Sequence, residues 1–358
     1  MTAIPTLVSG PHTHSRFNVS RTMMAVMMCL SPATGFGLLH FGWPAVFLFL
    51  VTIAAALVFE VLCLALAGKP ILRFATDGSA VLTGWIVALT LPPWAPWWVG
   101  VTGAGIAIVI GKHVFGGLGQ NLFNPAMVAR AMLLVALPVQ MTTWVTPIIG
   151  GPVGTDFRQA LAITFGGETG IDAVSSASTL SHVKSQLDAG QPMQAILADM
   201  GSLHDQFFGF VPGSLGEISA FLLLLGGVGL ILLRVITVVI PLSVLGSVAV
   251  LSGAAWLIAP DQFPPPQFHL VSGSLMFCAF FIATDYVTSP VTGLGKMIYG
   301  IGIGSLIFVI RSWGAFPEGV AFAVLLMNAC TPLIDDYVRP RIFGRTRAGK
   351  PIELRETP

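Results

Sequence analysis

The sequence predicts an all-α polytopic membrane protein of about ten transmembrane helices, arranged as two inverted five-helix repeats. Three observations lead there: too little charge for a water-facing surface, apolar runs as long as a bilayer crossing, and a weak match between the two halves. Of 358 residues, 54% are hydrophobic and 9% charged, and mean hydropathy is +0.85, whereas soluble domains carry about 25% charged residues. The 17 basic and 16 acidic side chains nearly cancel, which excludes a basic nucleic-acid binder. The 40 glycines and 25 prolines show no collagen period and suit membrane helices.

A helix crosses the hydrocarbon core in about 20 apolar residues. Apolar runs between charged residues and Pro/Gly breaks give early spans at 22–41, 44–67, 79–94, 96–111 and 124–140. Late spans fall at 217–233, 235–258, 268–285, 296–310 and 315–334. The third and eighth are the least regular, because Pro92, Pro93 and Pro290 interrupt them. The chain therefore divides into an N-terminal segment (1–21), a first repeat (22–140), a polar central segment (141–216), a second repeat (217–334) and a basic tail (335–358).

Cytoplasmic loops collect Lys and Arg. The tail holds Arg339, Arg341, Arg345, Arg347, Lys350 and Arg355, and the head Arg16 and Arg21, so both termini are expected in the cytoplasm. Lys69, Arg73, Lys112, Arg234 and Lys296 then also fall inside. Only Arg158, Lys184 and Arg311 fall outside, Arg130 lies within a span, and segment 141–216 is expected to be external. The head lacks a short apolar core with a cleavage site, so the first span is expected to start insertion. Cys29, Cys63, Cys278 and Cys330 occupy four different spans without a CxxC, and read as packing residues rather than a metal or cluster cage.

The halves match at one constant offset, with Gly103, Gly105 and Lys112 over Gly302, Gly304 and Arg311. Asn121-Leu-Phe-Asn-Pro125 is echoed by Asn328-Ala-Cys-Thr-Pro332, and Gly78-Ser79 by Gly273-Ser274. Halves with an odd number of spans insert with opposite orientation. Such repeats bring broken helices together near the midplane, where unwound backbone binds ligands or ions. The third and eighth spans are the expected pair, as part of an ion route or an inner binding site.

Glu60 and Asp285 are the acidic residues best placed within or beside spans, where an unpaired carboxylate is costly. Asp285 is alternatively a helix-end residue, and Asp77 is read as the cap of the third helix. The histidines show no metal-ligand spacing, and no catalytic residue or metal site is expected. Asn124-Pro125 is an ordinary helix entry; together with Gln120 and Asn121 it forms a glycine- and amide-rich segment whose side chains can hydrogen-bond a ligand. No Walker A or dinucleotide fingerprint is present.

These residues bring a family into view. The chain resembles the RnfD family of bacterial Rnf electron-transport complexes, related to the NqrB family of sodium-pumping NADH:quinone reductases. The matching pieces, in family order, are Ser9-Gly-Pro-His-Thr-His14, Thr76-Asp-Gly-Ser-Ala80, Gly117-Leu-Gly-Gln-Asn-Leu-Phe-Asn-Pro-Ala126, Pro138-Val-Gln-Met-Thr-Thr-Trp144, Asp172-Ala-Val-Ser-Ser-Ala-Ser-Thr179 and Gly213-Ser-Leu-Gly-Glu-Ile-Ser219. They cover nearly the whole length.

The resemblance implies a redox subunit of an ion-translocating complex in the bacterial inner membrane, not catalytic alone. It relays electrons and contributes to coupled Na+ or H+ movement beside subunits of the A, B, C, E and G types. Flavin mononucleotide (FMN) is expected to be joined through its phosphate to an outer-loop hydroxyl by a separate flavin transferase. A second, noncovalent flavin such as riboflavin is expected within the membrane region. The family pattern, Asp-x-x-Ser/Thr-Gly-Ala-Thr, places the acceptor on Ser178. Ser176 stands where the family has Gly, and Ser178 where it has Thr, so Thr179 is the second choice. Gly213, Ser214 and Glu217 are implied to line the outer flavin region; the alternative is a helix-entry turn with Glu217 at its start. The rival functional classes are a solute channel or transporter, since the family's fold resembles urea transporters, and a structural scaffold for redox partners.

Overall fold

The computed structural model describes residues 18–145, 156–166, 175–176, 178–199, 203–210, 213–316 and 318–340. The head motif at 9–14, most of the Asp172–Ala177 motif and the arginines beyond 340 lie outside the described residues. Five helices are long and apolar enough to cross a membrane: Val19–Phe41, Trp43–Leu66, Val239–Ile258, Gly293–Trp313 and Val320–Tyr337. Three apolar helices are shorter: Ser79–Thr90, Pro125–Ala136 and Ala220–Leu232. Two further segments complete ten among the described residues. Trp97–Gly105 runs on as a π-helix over Ile106–His113, and Pro266–Val271 is followed by Leu275–Phe277 and the π-helical Cys278–Ile282. Each coincides with an expected span, so the chain is an all-helical, multi-pass membrane protein.

The boundaries differ where backbone chemistry intervenes. The third helix stops at Thr90 because Pro93 has no N–H to offer the carbonyl of Leu89. That carbonyl instead accepts from Gly216 N–H at 2.8 Å. A Cβ on Gly216 would sit 2.9 Å from Leu89 Cβ, so glycine permits the approach. Leu91, Pro92 and Pro93 are buried, and irregular backbone at membrane depth is tolerated only when protein covers it. The sixth helix begins at Ala220 and leaves Glu217 in the turn before it. Pro32 interrupts the first helix less severely, since Ser31 Oγ donates to the carbonyl of Met28 that the proline leaves free (2.8 Å).

The repeat is visible in the packing. In each half the second span packs against the third and fourth, and the fourth against the fifth. Across the halves, Val19–Phe41 packs on its counterpart Ala220–Leu232, and Pro125–Ala136 on Val320–Tyr337, which is the self-paired pattern of a two-fold axis. Gly78 and Gly273 occupy equivalent places and both adopt left-handed φ, +83° and +66°, to feed the third and eighth spans. The relation is inverted. Thr22, Ser79 and Asn124, at the starts of the first, third and fifth spans, surround one cavity with Leu230 and Thr284, at the ends of the sixth and eighth.

The central segment is not a bare loop. It contains the short helices Phe157–Leu161, Thr179–Asp188, Met193–Asp199 and Leu203–Phe208, and Trp144–Val145 pairs antiparallel with Ser175–Ser176. Val183, Met193 and Ile196 pack with Phe268 in a small core of their own, which fixes this segment to the second repeat.

Helix contacts depend on missing side chains. A Cβ on Gly300 would lie 2.6 Å from Ser243 Cβ, while nothing lies within 4 Å of one on Gly246. Gly300→Leu should destabilise the protein by about 1–3 kcal/mol through overpacking, whereas Gly246→Ala should leave its melting midpoint unchanged or raised; thermal unfolding in detergent measures both.

Candidate functional site

Two clefts face opposite ends of the helical bundle. One, called outer for the expected side of the central segment, is about 40 Å³ and lies under that segment, and its walls include Arg130, Trp144, Ser178, Thr179, Glu217 and Glu318. Gly213 lines it too, and Ser214 is fully buried in the adjoining turn. The expected acceptors and the Gly213–Glu217 turn, far apart in sequence, therefore meet. Pairing of Trp144 with Ser176 holds the serine-rich strand beside the cleft. Ser178 caps helix Thr179–Asp188, accepting from Ser181 N–H at 3.3 Å and donating to Ser181 Oγ at 2.9 Å.

The charges of this cleft come from both repeats. Arg130 Nη2 is 3.5 Å from Glu318 Oε2, and the N–H and hydroxyl of Ser274 both donate to Glu318 Oε1. Arg130 is 7% exposed, and its Nη1 is buried without a hydrogen-bond partner. Glu217 stands outside the helices, where burial, and then the neighbouring Glu318 carboxylate, push its pKa up to about 8. Sequence reasoning missed Arg130 and Glu318 as site residues. The available signal was that Arg130 is a lone cation within a span, which needs a buried partner.

The inner cleft, about 110 Å³, has Ser79, Lys112, Asn121, Asn124, Phe281 and Asp285 in its walls. Asn121 and Asn124 thus reach a cavity, but their side chains are engaged locally. Asn124 Oδ1 accepts from Ala126 and Met127 N–H (3.1 and 3.2 Å), and Asn121 Nδ2 donates to Phe123 O (3.1 Å). Gln120 is exposed and lines neither cleft. The surrounding glycines answer a backbone demand, since Gly116, Gly117 and Gly119 all have positive φ.

Glu60 is 1% exposed, with Lys112 Nζ at 2.8 Å from its Oε1 and His113 Nε2 at 3.0 Å from its Oε2. Lys112 Nζ also donates to Ser79 Oγ at 2.8 Å. Asp285 accepts from Val287 N–H and Thr288 Oγ, both at 3.2 Å, the helix-end alternative. Asp77 Oδ1 accepts from Ser79 N–H at 2.7 Å, which is the expected capping role. Among the described residues no group of His, Cys, Asp and Glu side chains could hold a metal ion.

The fold and its paired clefts define a class: a multi-pass membrane protein built from inverted repeats, with a polar site toward each face. Comparison with known proteins makes the membership specific. The family described as NQR2, RnfD, RnfE matches residues 6–344. The chain is 65% identical over 303 residues to the D-type subunit of an ion-translocating oxidoreductase complex from Rhodobacter capsulatus, covering 85% of this chain and 84% of that one. It is 47% identical over 354 residues to the D-type subunit from Halorhodospira halophila, covering 98% and 99%, and 39% identical over 352 residues to that from Escherichia fergusonii, covering 95% and 99%. The chain belongs to the NQR2, RnfD, RnfE family.

Two outcomes follow from the buried charges. Glu60→Gln should destabilise the protein by about 3–5 kcal/mol, because it strands Lys112, and Glu60→Gln combined with Lys112→Met should recover much of the loss; melting midpoints decide it. A carboxyl whose pKa is raised by folding contributes stability that is full below its unfolded value, 4.5, and is lost as pH rises through about 8. Glu217→Gln should therefore flatten the decline in melting temperature between pH 5 and 8.5.

Proposed function

We propose that this chain is the membrane subunit of an ion-translocating electron-transport complex of the Rnf type, in a bacterial inner membrane, and that it carries a flavin at its outer cleft. The observation that carries the reading is the meeting of three things at one place: the Ser178 and Thr179 hydroxyls, the Gly213–Glu217 turn, and a buried arginine with an unpartnered nitrogen. A tethered phosphate needs a hydroxyl to bear it and donors to neutralise it. Ser178 or Thr179 supplies the hydroxyl, and Arg130 Nη1 supplies a charged donor. Attachment at Ser178 also sets the phosphate at the amino end of helix Thr179–Asp188, where free N–H groups favour an anion.

The cleft fits the tether and not the ring. Pockets for whole small molecules are about 300–1,000 Å³, against about 40 Å³ here, so the cleft would hold only the tether. FMN supplies one- and two-electron chemistry, while the protein supplies position and electrostatics. Glu318, bonded to Arg130 and Ser274, fixes the arginine.

The walls of the inner cleft combine amides and hydroxyls with Phe280 and Phe281, the mixture that anchors part of a noncovalent flavin, although at about 110 Å³ the cleft, like the outer one, is too small for the whole molecule. The relatives are named as D-type subunits of ion-translocating oxidoreductase complexes, which supports other subunits of such a complex as partners and coupling to ion movement; in this reading the partners are of the A, B, C, E and G types and the ion is Na+ or H+. Maturation requires a flavin transferase with access to the serine-rich strand.

Protein produced with the transferase and run on a denaturing gel should fluoresce under ultraviolet light, and the peptide containing 172–184 should gain the mass of one FMN. Ser178→Ala should abolish both signals and Thr179→Ala should leave them. The reverse result reassigns the acceptor to Thr179, and wild-type protein without either signal supports the channel reading instead.

A further inference from the structure

A third cavity lies outside both clefts and takes no part in the reading above. It occupies about 360 Å³ between helix Thr179–Asp188 and the outer end of the second repeat, within the size range of small-ligand pockets. Leu180 is shared with the wall of the outer cleft; Ser178 and Thr179 do not reach this one.

Its polar groups are mostly donors, and several are not used by the protein. Arg311 is 7% exposed, and its two Nη atoms donate to the carbonyls of His269 and Ser272 at 2.8 and 2.9 Å. Its Nε is buried without a partner. His269 is 3% exposed and neither ring nitrogen has a partner; Ser312 Oγ has none either. Lys184 lines the same cavity and donates to the carbonyl of Gly314.

Neither cation has a counter-charge in contact. Among the described residues Arg311 and Lys184 form no ion pair. Glu318 is committed to Ser274 and Arg130, and Asp188, the acidic residue at this cavity, is exposed, where water screens it. A buried guanidinium is costly even with the Glu318 carboxylate acting on it from beyond contact distance, and an oxyanion is the group that takes N–H and O–H donors from several side chains. A belt of aromatic and apolar side chains surrounds the donors. Phe263 and Phe308 each stack edge-on with Trp313 at 5.8 Å, and Trp313, Leu257 and Ile258 are exposed at this end of the bundle, as at a membrane–water interface.

We propose that this cavity is a phosphate-binding site, in which Arg311 Nε, Ser312 Oγ, the His269 imidazole and the Lys184 ammonium hold a phosphoester oxyanion at the outer membrane interface. The phosphate belongs either to the headgroup of an anionic lipid or to a soluble phosphoester. The site is independent of flavin attachment at Ser178 or Thr179.

The test uses the full chain, delipidated in neutral maltoside and phosphate-free buffer, with the melting midpoint as readout. The probes are phosphatidylglycerol, its phosphate-free counterpart diacylglycerol, and inorganic phosphate. A saturating phosphate ligand should raise the midpoint by roughly 2–4 °C. A rise with phosphatidylglycerol alone assigns the site to lipid, and a rise with inorganic phosphate as well assigns it to soluble phosphate. Ser312→Ala removes a hydroxyl that bonds nothing, so it should keep the unliganded midpoint and weaken the response about tenfold in ligand concentration. Lys184→Gln gives up the bond to the Gly314 carbonyl and should lower the unliganded midpoint, yet weaken the response in the same way, and the two variants together separate ligand loss from misfolding. No rise with any phosphate probe, an equal rise with diacylglycerol, or an unchanged response in both variants would overturn the proposal.

Discussion

Buried charge governs this fold. Lys112 and Arg311 close the fourth and ninth spans at equivalent points of the two repeats, and both are nearly excluded from solvent. Each reaches the glycine–serine entry of the preceding broken span, Lys112 through Ser79 Oγ and Arg311 through the carbonyl of Ser272. A cation there ties two helices by hydrogen bonds that lipid cannot replace, and left-handed Gly78 and Gly273 let the backbone come close enough. The repeats then diverge. Lys112 has Glu60 as a counter-ion within its own half, whereas Arg311 is bonded only to carbonyl dipoles. That difference leaves unspent donors in the half of the molecule that also holds the central segment, the Ser178 and Thr179 hydroxyls and two of the cavities described above.

The two-fold relation also explains why the sites sit where they do. Spans one and six, and five and ten, pack against their own counterparts, so the repeat interface runs through the middle of the molecule. Asn328 and Asn124, from the two echoed asparagine–proline motifs, meet there: with its amide oriented to suit every neighbour, Asn328 accepts from Asn124 N–H at 3.0 Å and donates to Val324 O at 3.3 Å. Tyr299 OH lies 2.6 Å from the same amide. The packed interface lies between the inner and the outer cleft.

Much of this was legible in the sequence because membrane solvation acts on composition directly. All ten spans were found, since lipid demands long apolar runs; their ends moved where Pro93 and the Gly216–Leu89 hydrogen bond stopped a helix that hydropathy alone would extend. Motif resemblance singles out Ser178, Thr179 and the Gly213–Glu217 turn, and the structure brings them to one cleft. Gln120 did not join a site, because the loop's composition reflects the positive φ of its glycines. Glu60 was singled out as a buried carboxylate, but its partners come from Lys112 and His113, two spans away in sequence.

By itself the sequence determined the solvent of this protein, its number of crossings and its internal duplication, because each is written in local hydropathy and in residue types at fixed offsets. Tertiary structure alone decided which charges meet. Arg130 and Glu318 lie on opposite repeats, and Arg311 faces a cavity roofed by the central helix Thr179–Asp188. Hydropathy is a property of each segment, whereas the cost of a buried charge depends on what surrounds it, and that is set only when the two halves close on one another.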